Sequence, residues 1–327
     1  MELASIFSDN TVLQAEKPVR FFGTGKGKIA ITLGDRTYER DVLEDRWVME
    51  LPAQPYGGTY DVRVRLQDRE RLLKNVTFGD VFLCAGQSNM QFEIGDEKGA
   101  AEVRDDPGIR YFVSDRIEAY VGQRSADGWT VCKKSTAGNW SALGLHVAER
   151  YRKKYGVPVG IVGCFQGASA IRSWLPESEL DESVYVPIEE RHFDSREPLY
   201  ADWNGDGVLY RRTFSPVAPF AFKGVIWYQG ESDTTVAEGK VYTRLLTRLI
   251  GSWRRALRDN ALPFTVVEIC DYDVRGDEGW RAIQACQQAV AGLTEGVTVV
   301  TSKDVCEHAN IHPCNKEDLA EKIVGVM

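Results

Sequence analysis

Over the first 75 residues, apolar and polar positions alternate in short stretches. VRFFG, KIAITLG, RWVMELP and TYDVRVRLQ are separated by Gly23, Gly25, Gly34, Pro52, Gly57 and Gly58. A period of two between turn residues predicts short antiparallel strands. We therefore expect a small all-β, sandwich-like domain over 1–75. Beyond it the pattern changes to continuous apolar runs: DVFLCAG (80–86), VPVGIVGC (157–164), FKGVIWY (222–228), FTVVEIC (264–270) and VTVVTS (297–302). Such runs suit parallel strands covered on both faces. Helical periodicity lies between them. Tyr242, Leu245, Leu246, Leu249, Ile250, Trp253 and Leu257 form one apolar stripe. Further helices are expected from near Ser141, from near Glu278 and after Asn315, where Asp318 marks a first turn. Strands alternating with helices predict an α/β domain with a parallel, doubly wound sheet over 76–327. Its polar stretch 176–215 reads as an irregular insertion.

Composition narrows the class. The 327 residues are 43% hydrophobic and 27% charged, which is ordinary for a globular chain. At roughly 100–200 residues per domain, two domains fit. The formal net charge of −8 argues against nucleic acid or an anionic membrane as partner. No apolar run approaches about 18 residues, so no membrane span is expected. The N-terminus, MELASIFSDN, lacks a basic region followed by an apolar stretch, so no signal peptide and a cytoplasmic location are expected. Seven cysteines without framework spacing read as free thiols. There is no zinc-type CxxC pair and no P-loop.

In the α/β pattern, sites form beyond the carboxyl ends of strands. The first long strand runs straight into Gly86, Gln87, Ser88 and Asn89. This is either a polar turn or a nucleophile. It is not the nucleophile elbow G-x-S-x-G, because Met90 holds the second glycine position. A serine nucleophile needs a base, and the chain has four histidines. His146 falls in a helix and reads as structural. His192 lies in the insertion and is a weak candidate for substrate contact. His308 and His312 follow the last strand, with Pro313 stiffening the turn beside His312. Ser88 and His312 therefore reach the same face. Two more strand ends offer oxyanion donors: GCFQGASAIRSW, with Gly167, and WYQGESD, with Gln229, Gly230 and Glu231.

Together GDVFLCAGQSNM, FKGVIWYQGESD and IHPCNKEDLAEKI, in this order, resemble the sialate O-acetylesterase family, a branch of the SGNH hydrolases related to some acetylxylan esterases. The likeness covers nearly the whole chain, including LASIFSDNTVLQAEKPVRFFGTG and VPVGIVGCFQGASAIRSW. It implies a flavodoxin-like, three-layer SGNH domain and a metal-free, cofactor-free serine esterase acting on an acetylated sugar. Carried over, Ser88 is the nucleophile and His312 the base. The Ser88 and Gly167 N–H groups and the Gln229 side chain form the oxyanion hole. Gln87, Asn89, Glu231 and Arg172 are expected to meet substrate. One departure stands out: many relatives have an acid where this chain has Asn310. Glu307 or Asp304 would then supply the acid, or the pair would act as a dyad, or activity would be weak. A catalytically silent sugar-binding protein is the competing expectation, and a sugar-binding role for 1–75 is another. Sialic acid esters and acetylated xylan both fit the same catalytic parts.

Overall fold

The computed structural model describes residues 2–97, 102–115, 128–192 and 198–327. The β-rich start is as its alternation predicts: β1 (Glu2–Leu3), β2 (Val12–Gln14), β3 (Val19–Thr24), β4 (Gly27–Leu33), β5 (Arg36–Val42), β6 (Arg46–Leu51) and β7 (Gly57–Leu66). β1, β3 and β6 form one antiparallel sheet, and β5, β4 and β7 continue into another. The next strand, β8 (Arg69–Gly86), belongs to both halves of the molecule. Its first part pairs antiparallel with β7. Its second part is the centre of the parallel sheet. Position 75 therefore lies inside a strand rather than in a linker, although Asn75 itself takes a positive φ of 55°.

After β8 come α1 (Ser88–Gln91), β9 (Asp106–Val113), β10 (Thr130–Cys132), α2 (Ala142–Tyr155), β11 (Val159–Phe165), α3 (Pro198–Asn204), β12 (Gly224–Tyr228), α4 (Val236–Ala256), β13 (Phe264–Glu268), α5 (Glu278–Leu293), β14 (Val297–Thr301) and α6 (Glu317–Gly325). The five apolar runs are β8, β11, β12, β13 and β14. β9 was not anticipated. The spatial order is β10-β9-β11-β8-β12-β13-β14, parallel from β9 to β14 with β10 antiparallel at the edge. The five strands of the apolar runs stand as β11-β8-β12-β13-β14, that is 2-1-3-4-5 in their own sequence order, and β9 and β10 are added beyond β11. That is the flavodoxin-like strand order. The architecture is α/β with a mixed sheet. α2 packs against α6, and α4 against α5.

α4 shows how local sequence sets an element. Thr235 and Glu238 form a reciprocal capping box at its start. Its apolar stripe is buried, and each fully buried Leu or Ile contributes about 1.5–3 kcal/mol relative to exposure. Trp253 stacks on Phe214, with ring centroids 4.0 Å apart, and its indole N–H donates to the Trp174 carbonyl. Through these contacts the 176–215 stretch is bolted to α4. That stretch is not irregular where described: short helical turns at Glu177–Glu179, Glu182–Val184 and Ile188–Glu190 precede α3. Positions 193–197 lie outside the described residues. The N-terminal strands are tied in by buried Asp80, whose carboxylate accepts from Gln14 (2.8 Å), Tyr56 (3.1 Å) and Tyr151 (2.8 Å).

The end of β8 is tightly packed. Gly86 has φ +138°, and a Cβ there would lie 2.0 Å from the Tyr228 carbonyl oxygen of β12. We expect Gly86→Ala to cost about 2–4 kcal/mol, combining backbone strain with overpacking. Urea unfolding checks this; a midpoint equal to that of the wild type would mean that the β8–β12 junction is far softer than its geometry.

Candidate active site

Four loops at the carboxyl edge of the sheet build the site. Leaving Gly86, the chain turns at once because the Gln87 N–H donates to the Tyr228 carbonyl (3.0 Å). Ser88 then opens α1. The loop after β14 brings back His312, whose Nε2 lies 2.8 Å from Ser88 Oγ. The two residues are 224 positions apart in sequence. From β11, Gly167 comes alongside: a Cβ on it would be 3.8 Å from the Ser88 Cβ. The Gly167 N–H donates to Gln91 Oε1 (2.9 Å). Among the described residues no group accepts the Ser88 N–H, which is one of the orphan donors of a helix's first turn. Both N–H groups expected of an oxyanion site thus lie beside Ser88, with Gln91 Oε1 on one of them.

Gln229 is a correction. Both hydrogens of its carboxamide are taken, by the Ser169 carbonyl (2.9 Å) and Asp233 Oδ2 (2.6 Å), while Oε1 accepts from Tyr242 (2.9 Å). It is fully buried and braces the turn after β12 instead of pointing a donor at Ser88. The four residues expected to meet substrate each make contacts within the protein. Gln87 Oε1 accepts from the Gly230 and Ser232 N–H groups. Asn89 Nδ2 donates to Glu231 Oε1 (2.5 Å) and to the Ile311 carbonyl (2.9 Å). Glu231 is 4% exposed, with Oε2 unpartnered. Arg172 is 5% exposed, makes a two-pronged pair with Asp206 and donates to the Val184 carbonyl. It anchors the 176–215 stretch and offers no rim cation.

Among the described residues no acid meets the His312 ring. Asn310 Oδ1 accepts the backbone N–H of His312 (3.0 Å), not its Nδ1. Exposed Glu307 accepts the Cys314 N–H (2.5 Å); partial burial opposes its ionisation, but backbone N–H groups hold its carboxyl below the usual range. Asp304 pairs with Lys322 at 2.5 Å. Each acid is instead held by a nearer donor. Among the described residues the imidazole is held through its backbone and through Ser88. Of the other histidines, His146 is structural, as expected. Burial opposes its charge, but Glu149 and Glu97 outweigh that and raise its pKa to about 9. His192 packs against Thr234 and Arg275, and burial and that guanidinium push it down to about 4.

One residue had no place in the sequence reading. Lys316 is fully buried at the start of α6, and its Nζ donates to Asn89 Oδ1 (2.8 Å). A cation at a helix N-terminus opposes the dipole, so the NKED run carried a signal that could have been weighed. A separate cavity of 1250 Å³, lined by Phe22, Trp47, Phe112 and Pro216 among others, includes neither Ser88 nor His312. No described helix is long and apolar enough to cross a membrane.

Comparison with known proteins shows the family. Residues 78–319 match the family model described as carbohydrate esterase, sialic acid-specific acetylesterase. The chain is 25% identical to the rat sialate O-acetylesterase over 389 residues, covering 98% of this chain and 71% of that protein. It is 24% identical to the human sialate O-acetylesterase, covering 98% and 69%. In structure it is similar to a carbohydrate acetylesterase from Xanthomonas citri, with a TM-score of 0.84, 26% identity, and coverage of 98% of this chain and 73% of that one.

Burial, and after it the charge of Lys316, lower the His312 pKa below its ordinary value. A base works in its neutral form, and a lowered pKa keeps it neutral at more acidic pH. Labelling of Ser88 by a fluorophosphonate probe should therefore lose rate only below the ordinary imidazole value of about 6.5. A midpoint above that value would contradict the burial of the ring.

Proposed function

We infer the reaction from the family: this chain belongs to the sialic acid-specific acetylesterases among the carbohydrate esterases, and it removes O-acetyl groups from carbohydrate. Our own reading concerns how. Ser88 Oγ attacks the acetyl carbonyl carbon as its proton passes to His312 Nε2. The carbonyl oxygen becomes an oxyanion, held by the N–H groups of Ser88 and Gly167, and the Gln91 side chain yields its place on the latter. The intermediate collapses to an acetyl-enzyme. The C–O bond to the sugar breaks, and the sugar oxygen leaves with the proton from His312. Water, deprotonated by His312, then attacks the acetyl-enzyme and releases acetate. The observation that carries this reading is the 2.8 Å bond between Ser88 and His312.

The reading is of a dyad, supported by the absence of an acid at the His312 ring among the described residues. On the same reading the parallel sheet and its helices are an SGNH-type three-layer unit, and the strands before β8 are an all-β support for it. The acyl acceptor is water and the substrate an acetylated sugar, with acetylated sialic acid ahead of acetylated xylan because of the family. Comparing acetate release from both substrates decides between them.

Ser88→Ala should lower kcat on p-nitrophenyl acetate by about 10⁴–10⁶-fold. Equal slow hydrolysis by variant and wild type would overturn the esterase mechanism in favour of a silent sugar binder. Asn310→Ala should keep kcat within about tenfold of wild type, against the roughly 10⁴-fold loss that follows removal of a ring-orienting acid's charge in a serine triad. A loss of that larger size would show that Asn310 serves the imidazole directly.

A further inference from the structure

A buried lysine without an ion pair is costly, because burial disfavours the charged form and only hydrogen bonds or nearby charge offset it. Lys316 is such a residue: among the described residues it forms no ion pair within 4 Å, and its partner is the Asn89 carboxamide oxygen at 2.8 Å. Two aromatic rings also flank it, those of Phe92 and Tyr228, centred 5.1 and 5.7 Å from Nζ. Asn89 passes the contact on. Its Nδ2 donates to Glu231 Oε1 and to the carbonyl of Ile311, the residue before His312. Ammonium, carboxamide and carboxylate thus form one chain, anchored on the residue after Ser88 and on the residue before His312.

Resting on the esterase reading above, we propose that Lys316 is a positioning residue, acting through Asn89 to hold the His312 loop against the nucleophile turn. The argument is geometric. Asn89 has one carboxamide oxygen and two N–H donors, and this chain uses all three. Orientation of the carboxamide is fixed only if its oxygen has a donor, and Lys316 supplies it. Without that donor the carboxamide is free to rotate, and the tie to the Ile311 carbonyl is lost. Among the described residues no acid at the imidazole stands ready to restore the alignment.

Lys316 also acts through its charge. The groups facing it are Glu231 from the turn after β12, Glu97 from the segment after α1, and Cys306 and Glu307 from its own loop. Burial pulls the lysine pKa down while these groups raise it. Facing His312 are Ser88 at Nε2 and the Lys316 cation, which opposes protonation of the ring. Removing the cation therefore raises the imidazole pKa.

The test is Lys316→Met, which keeps length and apolar stem. We expect kcat on p-nitrophenyl acetate to fall by about 10²-fold, the size of effect that follows misplacement of a catalytic group by about 1 Å. KM should change little, and the acid limb of kcat/KM should move to higher pH. A folded variant with unchanged kcat and an unmoved limb overturns the proposal, because a purely structural lysine would alter stability alone. If Lys316→Met does not fold by circular dichroism, Asn89→Leu carries the test, since it cuts the same chain while keeping the lysine. Here an unchanged kcat overturns the proposal and a similar loss supports it. An inactive wild type, or one unaffected by Ser88→Ala, would instead defeat the esterase reading, so the two failures are distinguishable.

Discussion

The site rests on the close approach of Gly86 to the end of β12. Only a residue without a Cβ can leave β8 at φ +138° with the Tyr228 carbonyl so near. That carbonyl then accepts the Gln87 N–H and turns the chain within one residue. A wider turn would place Ser88 further along, beyond reach of a histidine carried on the loop after β14. Because β8 is also the strand shared by both halves of the molecule, the turn inherits the rigidity of the longest strand described, Arg69–Gly86. The N-terminal strands matter to the site in this way, by clamping the far end of the strand that ends in the nucleophile turn.

Polar residues at the strand ends hold loops to one another. Gln87 ties the serine turn to the turn after β12, Asn89 ties it to the histidine loop, and Gln229 ties the turn after β12 to the segment after β11. Each strut is buried, where a satisfied hydrogen bond is strong and an unsatisfied one costly. Two buried carboxylic acids, Glu231 and Asp233, are part of the same mesh, and burial raises the pKa of both. Their cost is offset by the donors they receive from Asn89, Gln229 and the Ile171 N–H. A serine and a histidine need not have a third acid to be aligned if the backbone on either side is fixed this firmly.

The legible parts of the sequence were those where one physical effect dominates. Continuous apolar runs gave β8, β11, β12, β13 and β14, because a strand covered on both faces admits little else. β9 was not read, since Pro107, Gly108 and Arg110 break its apolar run. Arg110 is nonetheless buried, its guanidinium donating to the carbonyls of Asn10 and Asn75. The continuity of β8 through position 75 was equally hidden, because Lys74 and Asn75 look like a turn and Asn75 does take a positive φ. Strand pairing overrode the local preference. Within the site, Ser88, His312 and Gly167 followed from their places at strand ends. The protein contacts of Gln87, Asn89, Gln229, Glu231 and Arg172 were not legible, and for one cause. Polarity at a strand end says that a side chain needs partners, and it does not say whether those partners are substrate or protein.

With no acid at Nδ1 among the described residues, the proposed dyad depends on where its fixed charges lie. A carboxylate beside the ring would stabilise the imidazolium and make His312 a stronger base. Here the nearby fixed charge is a cation instead, and the ring is half-buried, so the neutral form is favoured. A weaker base takes the serine proton less readily but stays available at lower pH and returns the proton more readily to a departing sugar oxygen. Such a balance places more of the burden on stabilising the oxyanion, whose expected donors are backbone N–H groups that do not titrate. The carboxylates that could have served the ring are spent on positioning: Glu307 on the Cys314 N–H, and Glu231 on Asn89. Geometry stands where charge would, and Asn89, next to Ser88, links the carboxylate of Glu231, the ammonium of Lys316 and the carbonyl before His312.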